Sequence, residues 1–145
     1  SGPLENRMKA LAGELGLGDR VRFLGEVPFG RLPEVYAAAD IKVISSDYES
    51  FCFAAIEAMA SGLPIVTTDC GWVPKLIQYG GGRVVPVGDA AALAGALCEL
   101  AANEEGRREM GCRNRDRAVE HHGWPASARR LLGVYESLCG EGARI

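Results

Sequence analysis

Glu49 and Glu57 stand eight positions apart in the run SSDYESFCFAAIEAMASGLP, residues 45–64. The small apolar stretch between them reads as the start of a helix running from about Phe51 to Ser61. A helix N-terminus offers unpaired N–H groups and the positive end of a dipole, which suit a phosphate. Ser50 is placed to cap that terminus. Glu49 then hangs over the mouth of the site from the preceding loop. Glu57, two turns further on, is reachable by a group flanking the phosphate. A carboxylate accepts two hydrogen bonds from a vicinal diol, as acidic residues do with ribose in dinucleotide sites. The spacing therefore fits a nucleotide-linked ligand, with phosphates at the helix end, one polyol near Glu49 and another near Glu57. It fits equally a first-turn charge at Glu49 that merely faces water, and residue types alone leave both readings open.

Four short apolar runs can carry such a site. VRFLG (21–25), IKVISS (41–46), PIVTT (64–68) and RVVPV (83–87) read as strands. Helices are expected between them, at LPEVYAAA (32–39), in the quoted segment and at VPKLIQ (73–78). A first helix is marked by Leu4, Met8, Leu11 and Leu15, with Gly16 and Gly18 as stops. Continuous apolar strands alternating with helices predict an α/β domain with a doubly wound, Rossmann-like parallel sheet. Ligands bind such sheets at the carboxyl ends of the strands, where residues 45–52 fall. Beyond the last strand the chain is helical, with residues 103–139 as a C-terminal helical segment. Asp89 is placed to cap a helix carrying Leu93, Leu97 and Leu100. Asn103 caps the next, whose charged body RREMGCRNRDRAVE reads as a solvated surface helix. Pro125 suits the first turn of the last helix, where Leu131, Leu132, Tyr135 and Leu138 form one apolar stripe.

Composition narrows the function. The chain has 145 residues, 48% hydrophobic and 24% charged, which is ordinary for one globular domain. Its net charge of −3, with both signs interspersed, gives no basic footprint for nucleic acid. No apolar run reaches the ~20 residues that span a bilayer. Five cysteines, Cys52, Cys70, Cys98, Cys112 and Cys139, show no metal-binding spacing. They read as free thiols of a reducing cytoplasm. His121-His122 has no third ligand nearby in sequence and reads as a pair at a helix C-terminus. Tyr36 reads as a packing residue, Asp40 as a helix end, and Gly80–Gly82 as a turn.

In order along the chain, VRFLG (21–25), VYAAAD (35–40), IKVISS (41–46), ESFCFAAIEAMASGLPIV (49–66), TDCGWVP (68–74), GGRVVPVGD (81–89) and VYESL (134–138) resemble one family. It is the retaining, GT-B-fold glycosyltransferases of the GT4-like group, which carry an E-x7-E signature. The resemblance implies the donor-binding, C-terminal half of such an enzyme, transferring a hexose from a UDP- or GDP-linked sugar, without a metal or other cofactor. It implies that Glu49 contacts the transferred sugar and that Glu57 holds the ribose hydroxyls. Phe51, Cys52 and Phe53 then lie where backbone amides meet the sugar and diphosphate, next to Ser50, and Gly71 and Trp72 form the loop beside the donor. Retention is attributed in this family to front-side attack assisted by the leaving diphosphate, so neither glutamate is a nucleophile.

Three positions depart from the family pattern. Cys52 replaces a glycine, Trp72 the second glycine of a pair, and Lys75 a glutamate after the proline. A cysteine keeps its backbone N–H available, provided its φ is negative. Trp72 either stacks on base or sugar or packs on a rearranged loop. The resemblance also implies an N-terminal acceptor domain, a basic pair and the first two strands of this half, which in the sheet would lie between VRFLG and IKVIS, none matched here. The expectation is thus a fragment whose open sheet edges invite a second copy. Cytoplasmic placement is expected, at most peripheral to a membrane. The alternative is a non-catalytic nucleotide-binding or assembly domain that kept the fold.

Overall fold

Prolines frame the sheet. The computed structural model describes residues 2–139. Strand β2 (Ile65–Thr68) begins directly after Pro64, and β3 (Gly82–Val85) ends directly before Pro86, which has no N–H to extend a ladder. With β1 (Lys42–Ile44) they form one parallel sheet in the order β1-β2-β3. Val43 lies opposite Val66, and Val66 opposite Arg83. The doubly wound α/β expectation holds, with three of the four expected strands formed and their bounds shifted by up to two residues. The exception is VRFLG: residues 21–25 form no strand. Apolar residues make a strand only where a neighbour pairs with their backbone, and among the described residues none pairs with these.

The chain divides into two units, one up to Val35 and one from Tyr36 onward. In the first, helix α1 (Glu5–Glu14) ends before Gly16 as expected, yet Leu4, Met8, Leu11 and Leu15 stay exposed. A 3₁₀ turn (Phe29–Arg31) leads into α2 (Leu32–Ala37) across the boundary.

The second unit holds the sheet. Ile65, Val66, Thr67 and Thr68 are all buried, as a β-branched central strand covered on both faces should be. Helices α3 (Phe53–Ala60), α4 (Val73–Ile77) and α5 (Ala90–Ala102) pack on it. Val66 meets Leu100 and Met110, with Ile41, Leu93 and Leu97 around them. Asp89 caps α5 through the Ala92 amide at 2.8 Å. Asn103 caps α6 (Glu104–His122) through the Gly106 amide at 2.8 Å.

Helix α6 is not merely solvated. Met110, Gly111, Asn114 and Ala118 form a buried stripe at spacings of one, three and four. Gly111 meets the Gly62 carbonyl so closely that any Cβ would overlap it. Asn114, 2% exposed, donates from Nδ2 to the Leu63 and Gly81 carbonyls, both at 2.7 Å. A charged sequence thus docks through small and polar residues, which hydropathy patterning does not register. In α7 (Trp124–Cys139) Pro125 sits in the first turn as expected, but Leu131, Leu132, Tyr135 and Leu138 are exposed, while Ala126 is buried.

Replacing Asn114 by alanine removes the Leu63 carbonyl's partner and opens a small void. It is expected to cost about 2–3 kcal/mol, read as a lower denaturant midpoint at unchanged slope. A loss below about 0.5 kcal/mol, the range of neutral surface changes, would show that this amide does not fasten α6.

Candidate donor-binding site

The loops leaving the C-terminal ends of β1 and β2 are stitched together. The Ser46 carbonyl accepts from Thr68 Oγ1 at 2.6 Å and from Cys70 Sγ at 3.2 Å. One step on, Gly71 (φ +61°) lies against the backbone of Glu49, and a Cβ there would overlap the Glu49 carbonyl. A glycine is required at 71 on two counts: the left-handed backbone and the missing space. Its fit fixes the height of Glu49 above the sheet.

Glu49 is half-buried, and its Oε1 accepts from the Ser50 amide at 3.0 Å. That bond engages Ser50 in a local turn, and Ser50 does not cap α3. The helix begins at Phe53 rather than about Phe51, with Cys52 as N-cap and no side chain capping it. The first-turn amides of Phe53 and Ala54 therefore have neither an intrahelical acceptor nor a side-chain one.

Cys52 corrects a second expectation. Its φ is +60°, the one left-handed non-glycine among the described residues, where a negative φ was required. A side chain in that region costs roughly 1–2 kcal/mol. The glycine of the family pattern at this position is thus a backbone requirement that cysteine meets under strain. Burial, above all, pushes the Cys52 thiol up; the Ala55 amide opposes it, the Glu49 carboxylate adds to the rise, and Lys42 pulls slightly the other way.

Glu57 lies one turn inside α3, half-buried. Tyr36 reads from sequence as a packing residue, but its hydroxyl donates to Glu57 Oε2 at 2.9 Å. Its ring is 9% exposed, with Lys42 Nζ 5.4 Å from the centroid. Burial, then the Glu57 hydrogen bond and charge, push the phenol up to about 12. Tyr36 comes from the end of α2, and only the fold brings it to Glu57.

Aromatic side chains ring the loops. Phe51 and Phe53 meet edge to face, centroids 5.3 Å apart, and Tyr48 is exposed. Trp72, the N-cap of α4, has ordinary backbone angles and stands at the surface. Lys75 Nζ lies 4.6 Å from its ring, so two of the three departures from the family pattern pair with each other. A separate hollow of about 170 Å³ opens at the strand ends, lined by Ser45, Asp47, Thr68, Pro86, Gly88 and Asp89. Neither Glu49 nor Glu57 lines it, and the carboxylates of Asp47 and Asp89 make it a poor place for a phosphate. Away from the site, His121 and His122 occupy the last turn of α6, as expected. Burial and then the Arg130 charge hold His122 below its ordinary value, so a protonated cap on the dipole is not what that residue provides.

The sequence model of the family described as "Glycosyl transferases group 1" matches residues 1–117. The D-inositol 3-phosphate glycosyltransferase of Corynebacterium kroppenstedtii is 40% identical over 93% of this chain and 30% of its own length. The phosphatidyl-myo-inositol mannosyltransferase of Mycobacterium leprae is 33% identical over 97% of this chain and 37% of its own. Among solved structures, the sucrose-phosphate synthase of Thermosynechococcus elongatus superposes with a TM-score of 0.85 at 34% identity, covering 95% of this chain and 36% of the other. The chain thus spans about a third of the length of these relatives.

Two outcomes follow from this geometry. Gly71→Ala combines a strained φ with overlap on the Glu49 backbone, and is expected to lower stability by about 3 kcal/mol or more in thermal unfolding; a change under about 1 kcal/mol contradicts the close approach. The folded-state value of Tyr36, about 12, lies above its ordinary 10. Its contribution is therefore complete below pH 10 and is lost as pH rises through 12. The wild type is expected to lose stability more steeply across that window than Tyr36→Phe, and parallel profiles contradict the assignment.

Proposed function

Because the chain belongs to the glycosyl transferases group 1 family and has the fold of the C-terminal domain of a GT-B glycosyltransferase, we propose that it binds the nucleotide-diphosphate sugar of a retaining hexosyltransferase. The observation that carries this reading is the uncapped tip of α3 set between two half-buried glutamates. The diphosphate of a UDP- or GDP-linked donor meets the free amides of Phe53 and Ala54 and the positive end of the helix. Glu57 takes the ribose hydroxyls. Glu49 holds the transferred hexose and favours the positive charge that develops on it. Ser50, Phe51, Cys52, Phe53, Gly71 and Trp72 shape the wall around it.

The acceptor oxygen attacks the anomeric carbon from the face the diphosphate leaves. The new C–O bond forms as the old one breaks, and the acceptor's proton passes to the departing phosphate oxygen. The protein's contribution is positioning and charge stabilisation, with no covalent step and no metal. The acceptor belongs to a separate N-terminal domain. The relatives' names share a glycosyl transfer and differ in acceptor, which supports the donor chemistry and leaves the acceptor to that other domain. The five cysteines are free thiols, which suits a cytoplasmic enzyme, membrane-peripheral where its acceptor is a lipid. Among the described residues no helix is long and apolar enough to cross a membrane.

A second reading has specific support. The strain at Cys52 and the Trp72–Lys75 pair fit a non-catalytic nucleotide-binding or assembly domain, in which a second copy pairs along the open edge of β1. Calorimetry of the full-length protein with UDP and GDP separates the two. Glu57→Ala is expected to weaken the preferred nucleotide at least tenfold, since a hydrogen bond to a charged group contributes about 1.5–3 kcal/mol. No nucleotide binding by the full-length protein, with a mass that grows with concentration in light scattering, leaves only the assembly reading.

A further inference from the structure

We propose that Tyr36 is a positioning residue, whose hydroxyl holds one oxygen of Glu57 so that the other faces the ribose of the donor nucleotide. The proposal rests on the reading of Glu57 as the ribose-binding carboxylate.

A free glutamate side chain loses rotamer freedom when a ligand fixes it, and that loss opposes binding. Here the Tyr36 hydroxyl, 2.9 Å from Oε2, restricts the side chain before any ligand arrives. The ring that carries the hydroxyl is itself buried, and the same oxygen approaches the Ala54 carbonyl of α3 at 3.5 Å. It is thus aligned along the helix that bears Glu57. Among the described residues no donor meets Oε1. Among those residues no side-chain oxygen or nitrogen is both sealed from solvent and unpartnered, so Oε1 keeps some access to solvent. One oxygen of the carboxylate belongs to the protein and the other is free, with two lone pairs for hydroxyl donors.

A phenylalanine at 36 would fill the same space and leave Oε2 without its donor. The donor is permanent under ordinary conditions, because the phenol keeps its proton up to about pH 12. Tyr36 thereby acts on one class of ligand feature, the ribose diol, and not on the diphosphate or the base.

The test is calorimetry of the full-length protein with UDP, GDP and their 2′,3′-dideoxy counterparts, comparing wild type with Tyr36→Phe. The wild type is expected to prefer the ribonucleotide at least tenfold over the dideoxy form. In Tyr36→Phe, ribonucleotide affinity is expected to fall about fivefold, with dideoxy affinity unchanged, so the preference shrinks. A defect that is only structural weakens both ligands alike. Equal losses, or an unchanged preference, overturn the proposal. A wild type that binds both forms equally, or neither, overturns the role of Glu57 itself and this proposal with it, and so is told apart from a failure of Tyr36 alone. Should Tyr36→Phe not fold, Glu57→Asp withdraws the carboxylate by one methylene while Tyr36 keeps its place. It must then give the same selective loss, and an equal loss for both ligands again overturns the proposal.

Discussion

The close approach of Gly71 to the Glu49 carbonyl is the contact on which the rest of the site depends. Strand β2 is the rigid member of the pair: it is central and buried on both faces. The chain leaving it carries Thr68 and Cys70, both donating to the Ser46 carbonyl, and then Gly71 beneath Glu49. The loop after β1 is therefore moulded on the end of β2. A β-carbon at 71 would lift Glu49, and everything from Ser50 to the start of α3 would have to follow.

Glu49 and Glu57 each have one carboxylate oxygen held by a protein donor, Glu49 by the Ser50 amide and Glu57 by the Tyr36 hydroxyl. Each then presents its remaining oxygen from a restrained side chain, which lowers the entropy that any ligand bound there would have to remove. Between them α3 begins without a side-chain cap, at a cysteine in left-handed backbone. Polar groups left unsatisfied and backbone strain are features a purely structural helix end avoids, and their concentration in a few residues is what a binding site looks like energetically.

Stability is assembled at the other end of the strands. Asn114 bonds the carbonyls of Leu63 and Gly81, just before β2 and β3, and Gly111 fits against Gly62. These contacts anchor α6 at the entry ends of β2 and β3, away from their C-terminal ends. The separation follows from parallel topology: every strand enters at one end and delivers its loop at the other.

Much of this was legible in the residue order. Runs of apolar residues located three strands, two of them bordered by a proline, Asp89 and Asn103 declared their caps, and the spacing of Glu49 and Glu57 pointed to a helix tip with a carboxylate on either side. These are local properties, set by backbone geometry and side-chain type within a few positions. What sequence reading missed was non-local. VRFLG has the composition of a strand, yet pairing depends on a neighbour that composition does not supply. Cys52 looks like an ordinary residue until the turn demands a positive φ. Tyr36 reaches Glu57 across 21 positions, and Asn114 reaches Leu63 across 51. Residue types alone could name the groups able to bind a nucleotide sugar. Only the folded chain, by bringing distant backbone carbonyls and hydroxyls within hydrogen-bond range, decided which of those groups are held, which are strained and which remain open.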